Sequence, residues 1–221
     1  MKFSTVAFLL LWGIVLNYIP ITDAQRMRLK GKVQSINEIM IYAEPDYELK
    51  ETSYFNEKGN LTRRQFYEYY IDSDGSRTEM EGNYESYKMV SPELNTYSIS
   101  DRGRITKEGE IVRVGEYKFI RKENEYGMYQ QEITSEYNTK WELIKLHRKA
   151  IVKGDSVNVI MKYKYKKGEL KSIQAYDFLK NEEEILEIKN HQYDTYGNAI
   201  FMEYHKNGKL LYTSICEIDY Y

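Results

Sequence analysis

Apolar and polar positions alternate with a period of two along most of the chain after residue 30. Between 157 and 166 the odd positions are Val157, Val159, Met161, Tyr163 and Tyr165, and the even ones are Asn158, Ile160, Lys162, Lys164 and Lys166. One face is apolar and the other carries the lysines, the pattern of a half-buried β-strand. Similar tyrosine-rich runs cover 47–55, 63–71, 114–121 and 185–193. Tyrosine suits such a surface because its ring can be buried while its hydroxyl stays wet. Helical periodicity is weak. Of two candidates, 177–189 reads better as a hairpin loop at 181–184 between two apolar runs, and 136–151 around Trp141 fits either period.

Turn chemistry separates the runs. Asn207-Gly208 and Asp74-Gly75 are the dipeptides that a type I′ hairpin turn demands, since both central residues take positive φ. Lys58-Gly59-Asn60, Arg102-Gly103, Lys167-Gly168 and Tyr196-Gly197-Asn198 carry the same signal more weakly. A two-residue loop at Asn207-Gly208 predicts that Lys206 pairs with Lys209, Tyr204 with Leu211 and Ile200 with Ile215. That register gathers Ile200, Met202, Tyr204, Leu211 and Ile215 on one face.

Self-comparison yields a recurring unit. Phe55-Asn56-x-x-Gly59-Asn60-Leu61, Ile99-x-x-x-Gly103-Arg104-Ile105 and Tyr193-Asp194-x-x-Gly197-Asn198-Ala199 share an apolar lead, a polar residue, two free positions and a glycine. Shorter forms end at Gly75, Gly168 and Gly208. Each unit is a hairpin that cannot bury its face alone, so neighbours must stack. On these residues the sequence resembles the YD-repeat (Rhs-type) proteins and, more loosely, the MORN-like repeats. Tyr193-Asp194-x-x-Gly197-Asn198 followed by Asn207-Gly208 looks like one complete unit, and the Phe55 unit with Gly75 is a variant. The spacing is irregular, and residues 81–160 match poorly. The resemblance implies an extended antiparallel sheet, export or surface display, and a structural or binding role, often toward carbohydrate. The expected fold is all-β, an elongated twisted antiparallel sheet of consecutive hairpins in one domain.

The first 24 residues break the pattern. Lys2, an apolar run to Leu16, Pro20 and the small residues Thr22 and Ala24 predict a signal peptide at 1–24 and an exported domain at 25–221. No later stretch is apolar enough to span a bilayer as a helix. The protein is expected to be periplasmic, surface-exposed or secreted. A single cysteine excludes a disulfide framework and paired-cysteine zinc modules. The 32 basic and 34 acidic residues leave a net charge of −2, which gives no reason to expect nucleic acid.

Aromatic usage is lopsided, with 23 Tyr against 7 Phe and 2 Trp. Tyr67 and Tyr69 share one strand face with Arg63 and Gln65. These four are the candidate ligand site, because aromatic platforms stack on sugar rings. Gly59, Asn60, Gly75, Gly197, Asn198, Asn207 and Gly208 are expected to build the turns. His147, His191 and His205 have no metal-ligand spacing, and Cys216 reads as a buried thiol on the face of Tyr212, Ser214, Ile218 and Tyr220. The Lys162–Lys166 row reads as a solvated face that deters edge pairing. No cofactor is called for. The expected role is non-catalytic binding of a polysaccharide or an envelope protein. The alternative is a carbohydrate-active hydrolase with an unmarked carboxylate pair, for which Glu182, Glu183, Glu184, Glu203 and Glu217 are available.

Overall fold

The computed structural model describes the backbone of residues 22–43, 47–91, 94–101, 104–125, 129–152 and 155–221. After a short helix, α1 (Asp23–Arg26), come β1 (Val33–Tyr42), β2 (Tyr47–Phe55), β3 (Leu61–Ile71), β4 (Arg77–Ser91), β5 (Leu94–Asp101), β6 (Arg104–Gly115) and β7 (Lys118–Glu125). They are followed by β8 (Tyr129–Tyr137), β9 (Leu143–Val152), β10 (Asp155–Lys166), β11 (Glu169–Asp177), β12 (Glu182–Tyr193), β13 (Ala199–Lys206) and β14 (Lys209–Tyr220). Every strand is antiparallel to its chain neighbours, as the hairpin pattern predicts. The twisted sheet then closes, because β1 pairs with β14 from Val33↔Tyr220 to Tyr42↔Tyr212, and the result is a barrel. Closure satisfies both edge strands.

Alternation sets the two walls. On β10, Met161, Tyr163 and Tyr165 face the lumen, and Lys162, Lys164 and Lys166 face out and are exposed. On β7, Phe119 and Glu123 are buried inward, and Lys118 and Lys122 are exposed outward.

Three five-residue turns at one mouth share a single design. Asn56, Asn138 and Asp194 each accept two backbone N–H bonds through Oδ1, from residues two and four positions on, at 2.8–3.0 Å. The fourth residue is left-handed in each: Gly59 (φ 80°), Trp141 (φ 61°) and Gly197 (φ 81°). Tyr137-Asn138-x-x-Trp141-Glu142 is thus a further copy of the unit, with tryptophan where glycine is expected. Trp141 tolerates the position because its ring packs on Tyr117, Tyr137 and Phe119, with centroids 4.8–6.5 Å apart.

Residues 22–32 lie across this mouth as a plug. Thr22 and Gln25 form a capping box that starts α1. Asp23 accepts from Leu61 N at 2.7 Å, and Ala24 N donates to Gly59 O at 2.9 Å. Arg26 lies over the Phe119 ring, and Arg28 reaches Gly168 O (3.1 Å) and Glu142 (3.5 Å). The Asn198 side chain grips Lys30 as a strand would, accepting its N–H at 2.7 Å and donating to its carbonyl at 3.0 Å. Ala24 also joins the buried cluster of Val33, Ile36, Phe55 and Leu61.

Several local readings need correction. A bulge at Tyr204/His205 shifts the last hairpin by one residue: Lys206 pairs with Lys209 as expected, but Tyr204 pairs with Tyr212 and Phe201 with Ile215. Ile215 therefore faces out, and the inward set is Met202, Tyr204, Tyr212 and Ser214. Asn207 and Gly208 both take positive φ, as a type I′ turn requires, and so do Lys167 and Gly168. At Asp74-Gly75 only Gly75 does, because the loop is longer and is closed by Asp72 N to Ser76 O. The run 114–121 is not one strand, since it straddles the turn between β6 and β7. The hairpin read at 177–189 is present, with its turn at 178–181 and Glu182–Glu184 already in β12, and 136–151 resolves into the end of β8, a turn and β9. The Arg102-Gly103 turn and residues 1–21 lie outside the described residues.

Candidate functional site

The four residues singled out from the sequence do share a face, the outer one of β3. Their partners on β2 are Tyr54, Thr52, Lys50 and Glu48. The Tyr67 and Tyr69 rings lie side by side, 6.3 Å between centroids and 25° between planes. Arg63 covers the Tyr54 ring at 5.1 Å, and the Tyr54 hydroxyl donates to Gln65 at 3.0 Å. Gln65 is itself buried. Tyr67 lies opposite Gly82 on β4.

The inner wall holds a second constellation that the sequence reading did not identify. Along β1 the inward residues are Tyr42, Met40, Glu38 and Ile36. Their partners are Tyr47, Leu49, Glu51 and Ser53 on β2, and Tyr212, Ser214, Cys216 and Ile218 on β14. The lumen is therefore layered. At the mouth away from the plug, Tyr70, Tyr47, Tyr42, Tyr212 and Tyr204 form a register-matched row across neighbouring strands. Successive centroids from Tyr47 to Tyr204 are 5.1, 5.1 and 4.2 Å apart. About 13 Å deeper, at roughly 3.3 Å per residue, the Glu38–Glu51 layer begins.

Glu38 and Glu51 face each other across the strand pair but sit in different surroundings. Glu51 is ion-paired with Arg64 at 2.9 Å and accepts from Ser53 at 3.0 Å. Glu38 accepts from Ser214 at 2.6 Å. Burial pushes its carboxyl above the ordinary range, the Glu51 charge adds to this, and the Ser214 bond opposes it. Burial also pushes the Cys216 thiol up to about 12. Between this layer and the plug is a cavity of about 580 Å³, walled by Tyr165 and Tyr193 with Met202 and Cys216.

Around the barrel a separate inward network joins Tyr97, Glu123, Arg121, Gln131 and Arg148. Tyr97 reaches Glu123 by lying across Gly109.

The other candidates are scattered. His147 contacts Asn158, and His205 contacts Glu203, both on the outer wall. His191 stacks on Tyr193 beside the cavity. Glu182, Glu183, Glu184 and Glu217 are exposed, and Glu203 bonds Asn190 as well as His205. No cluster that could hold a metal occurs among the described residues. Cys216 has the expected face, and its partner on β1 is Glu38.

The outer wall carries charge at mid-strand. Glu110, Lys122, Glu132 and Lys149 alternate in sign across β6 to β9, and so do Lys118, Glu136 and Lys145. The alternation breaks at β10, where Lys162 lies opposite Lys145. As a mid-barrel strand, β10 has no free edge for its lysine row to protect. No helix among the described residues is long and apolar enough to cross a membrane.

No family model matches the chain, and no curated protein does. A porin-like protein from Bacteroides uniformis, known from its crystal structure, is similar over 86% of this chain and 99% of its own. The TM-score is 0.49 and the identity 10%.

Proposed function

We propose that the protein is an exported, non-catalytic binding module of the bacterial envelope or surface, and that its outward tyrosine face holds a carbohydrate. The observation that carries this reading is the Tyr67/Tyr69 pair: two rings 25° from parallel, 6.3 Å apart on the outer wall, on the same face as Arg63, which covers the Tyr54 ring. Adjacent sugar rings stack on such a platform at little entropic cost, because tyrosine has few torsions to order. The charged outer wall supports a barrel that meets water. A lysine facing hydrocarbon at the bilayer midplane costs about 2–4 kcal/mol, and Lys122 and Lys162 would each incur it. The apolar leader-like run at 3–16 supports export.

The test is glycan-array binding of residues 22–221, with Tyr67→Ala/Tyr69→Ala alongside. Specific glycan binding that the double variant loses while keeping its melting temperature is the expected result. Binding unchanged in the variant, or binding of no glycan, refutes the reading and leaves an envelope protein as the partner to seek.

A further inference from the structure

We propose that the cavity beneath the plug is a second, luminal site, which takes a neutral hydroxyl-rich ligand of one or two sugar rings. The inference stands apart from the outer platform, because none of its residues is shared.

Three observations carry it. The first is space: about 580 Å³ lies between the plug and the inner wall, within the range of small-molecule sites. The second is the lining. Tyr165 and Tyr193 supply aromatic walls, and Met202, Leu29 and Ile218 supply apolar ones. Glu38, Glu51 and Ser53 supply acceptors and hydroxyl from adjacent strands. Sugars present that combination in reverse, with apolar C–H faces and a rim of hydroxyls.

The third observation is charge balance. Glu51 is neutralised by Arg64, Arg28 by Glu142, and Glu169 by Lys171 at 2.6 Å. Lys30 spends its ammonium on Gly197 O at 3.3 Å. Glu38, without an ion-pair partner of its own, is pushed by burial toward its uncharged form. A cation would compete with these pairs and an anion would have only the exposed Lys167 at the rim, whereas a neutral polyol needs only the hydrogen bonds. Placing two glutamates opposite each other inside a barrel works against stability. A ligand whose hydroxyls bridge both carboxyls turns that cost into recognition. The orphaned ring nitrogen Nε2 of His191, buried and beside the same cavity, is one more group such a ligand can satisfy.

The experiment uses the 22–221 protein carrying Tyr67→Ala/Tyr69→Ala, so that the outer face is silent. Maltose, cellobiose, lactose and chitobiose are titrated, with citrate and spermidine as charged probes. The methionine methyl groups are observed by 13C NMR. The expected result is saturable binding of at least one neutral disaccharide, shifts at the methyls of Met202 and of Met27, which lines the cavity from the plug, and at least tenfold weaker binding of both charged probes. Met202→Trp, which fills the cavity, should weaken the disaccharide at least tenfold. Glu51→Gln should do the same and serves if Met202→Trp fails to fold. Absence of disaccharide binding, binding that both variants leave unchanged, or tighter binding of citrate or spermidine overturns the proposal. Loss of glycan binding at the outer face alone leaves it standing.

Discussion

Asn198→Ala should unfasten the plug. Asn198 is 4% exposed, its side-chain oxygen accepts from Lys30 N, and its two amide N–H groups are shared among Lys30 O, Asp194 Oδ2 (3.2 Å) and the Tyr220 hydroxyl (2.7 Å). Truncation removes these bonds and strips the side-chain partner from both backbone groups of Lys30. A lost hydrogen bond costs about 1 kcal/mol net, and a stranded buried group about 1–3 kcal/mol. Solvent can re-satisfy some of the groups, so the net cost should be about 3 kcal/mol. For a chain of this size that is a melting-temperature drop of about 6–12 °C. Asn198→Asp keeps the acceptor but points an oxygen at Lys30 O beside the Asp194 carboxylate. It should be at least as damaging at pH 7 and should ease in acid as the introduced carboxyl protonates and can donate to Lys30 O, Asp194 itself being held below the usual range by its hydrogen bonds. Thermal melts and amide exchange at Lys30 read the two effects separately. A melting temperature within about 2 °C of the parent, with Lys30 protection unchanged, would refute the clasp.

Three further outcomes follow from other parts of the barrel. At Gly109 a Cβ would stand 2.3 Å from the Tyr97 ring and 2.7 Å from Lys122 O, so Gly109→Ala should displace Tyr97 from Glu123 and cost on the order of 3 kcal/mol in chemical denaturation; a loss under about 1 kcal/mol contradicts the packing. With its pKa pushed from 9.0 to about 12, Cys216 should react with iodoacetamide at pH 8 about a thousandfold more slowly than an ordinary thiol in the folded protein, and normally in urea; equal rates would show an open site. Glu38 has a folded pKa above its unfolded one, so its stabilising share is full in acid and is lost as pH rises through the folded value. Glu38→Gln should therefore be more stable than the parent at pH 8 and no more stable at pH 4, and melts that differ equally at both values would exclude burial as the cause.

How far the sequence reached depends on how local each signal is. The run 47–55 coincides with β2, and the in–out pattern of β10 is the one its lysines announce, because pleat and burial act residue by residue. The Asn207-Gly208 turn was legible for the same reason, yet the register beyond it slipped at Tyr204/His205. A bulge has no marker when both Leu211 and Tyr212 could fill the inward place. The Tyr137 unit escaped notice because Trp141 occupies a glycine position, and only its aromatic packing makes that conformation tolerable. The Asn138-x-x-x-Glu142 spacing was the available clue. The outer tyrosine face followed from i, i+2 alternation. The Glu38–Glu51 layer did not, since its meaning depends on β14 supplying Ser214 and Cys216 from the far end of the chain.

Closure of β1 onto β14 also orders the folding reaction. Every other strand pair joins neighbours in the chain, so hairpins can form and extend with short loops. The β1–β14 pairing brings Tyr42 to Tyr212, and closing a loop of about 170 residues costs about 2.5 kcal/mol more than closing one of about 10. That seam should be the last and slowest to form. The plug must wait for it, because its contacts reach turns from Gly59 to Asn198 that share one mouth only once the ring is complete. A ribosome-bound chain lacking β14 would thus display two unsatisfied strand edges, and the 12 residues of β14 decide whether the molecule becomes a sealed vessel or a template for another chain's strands.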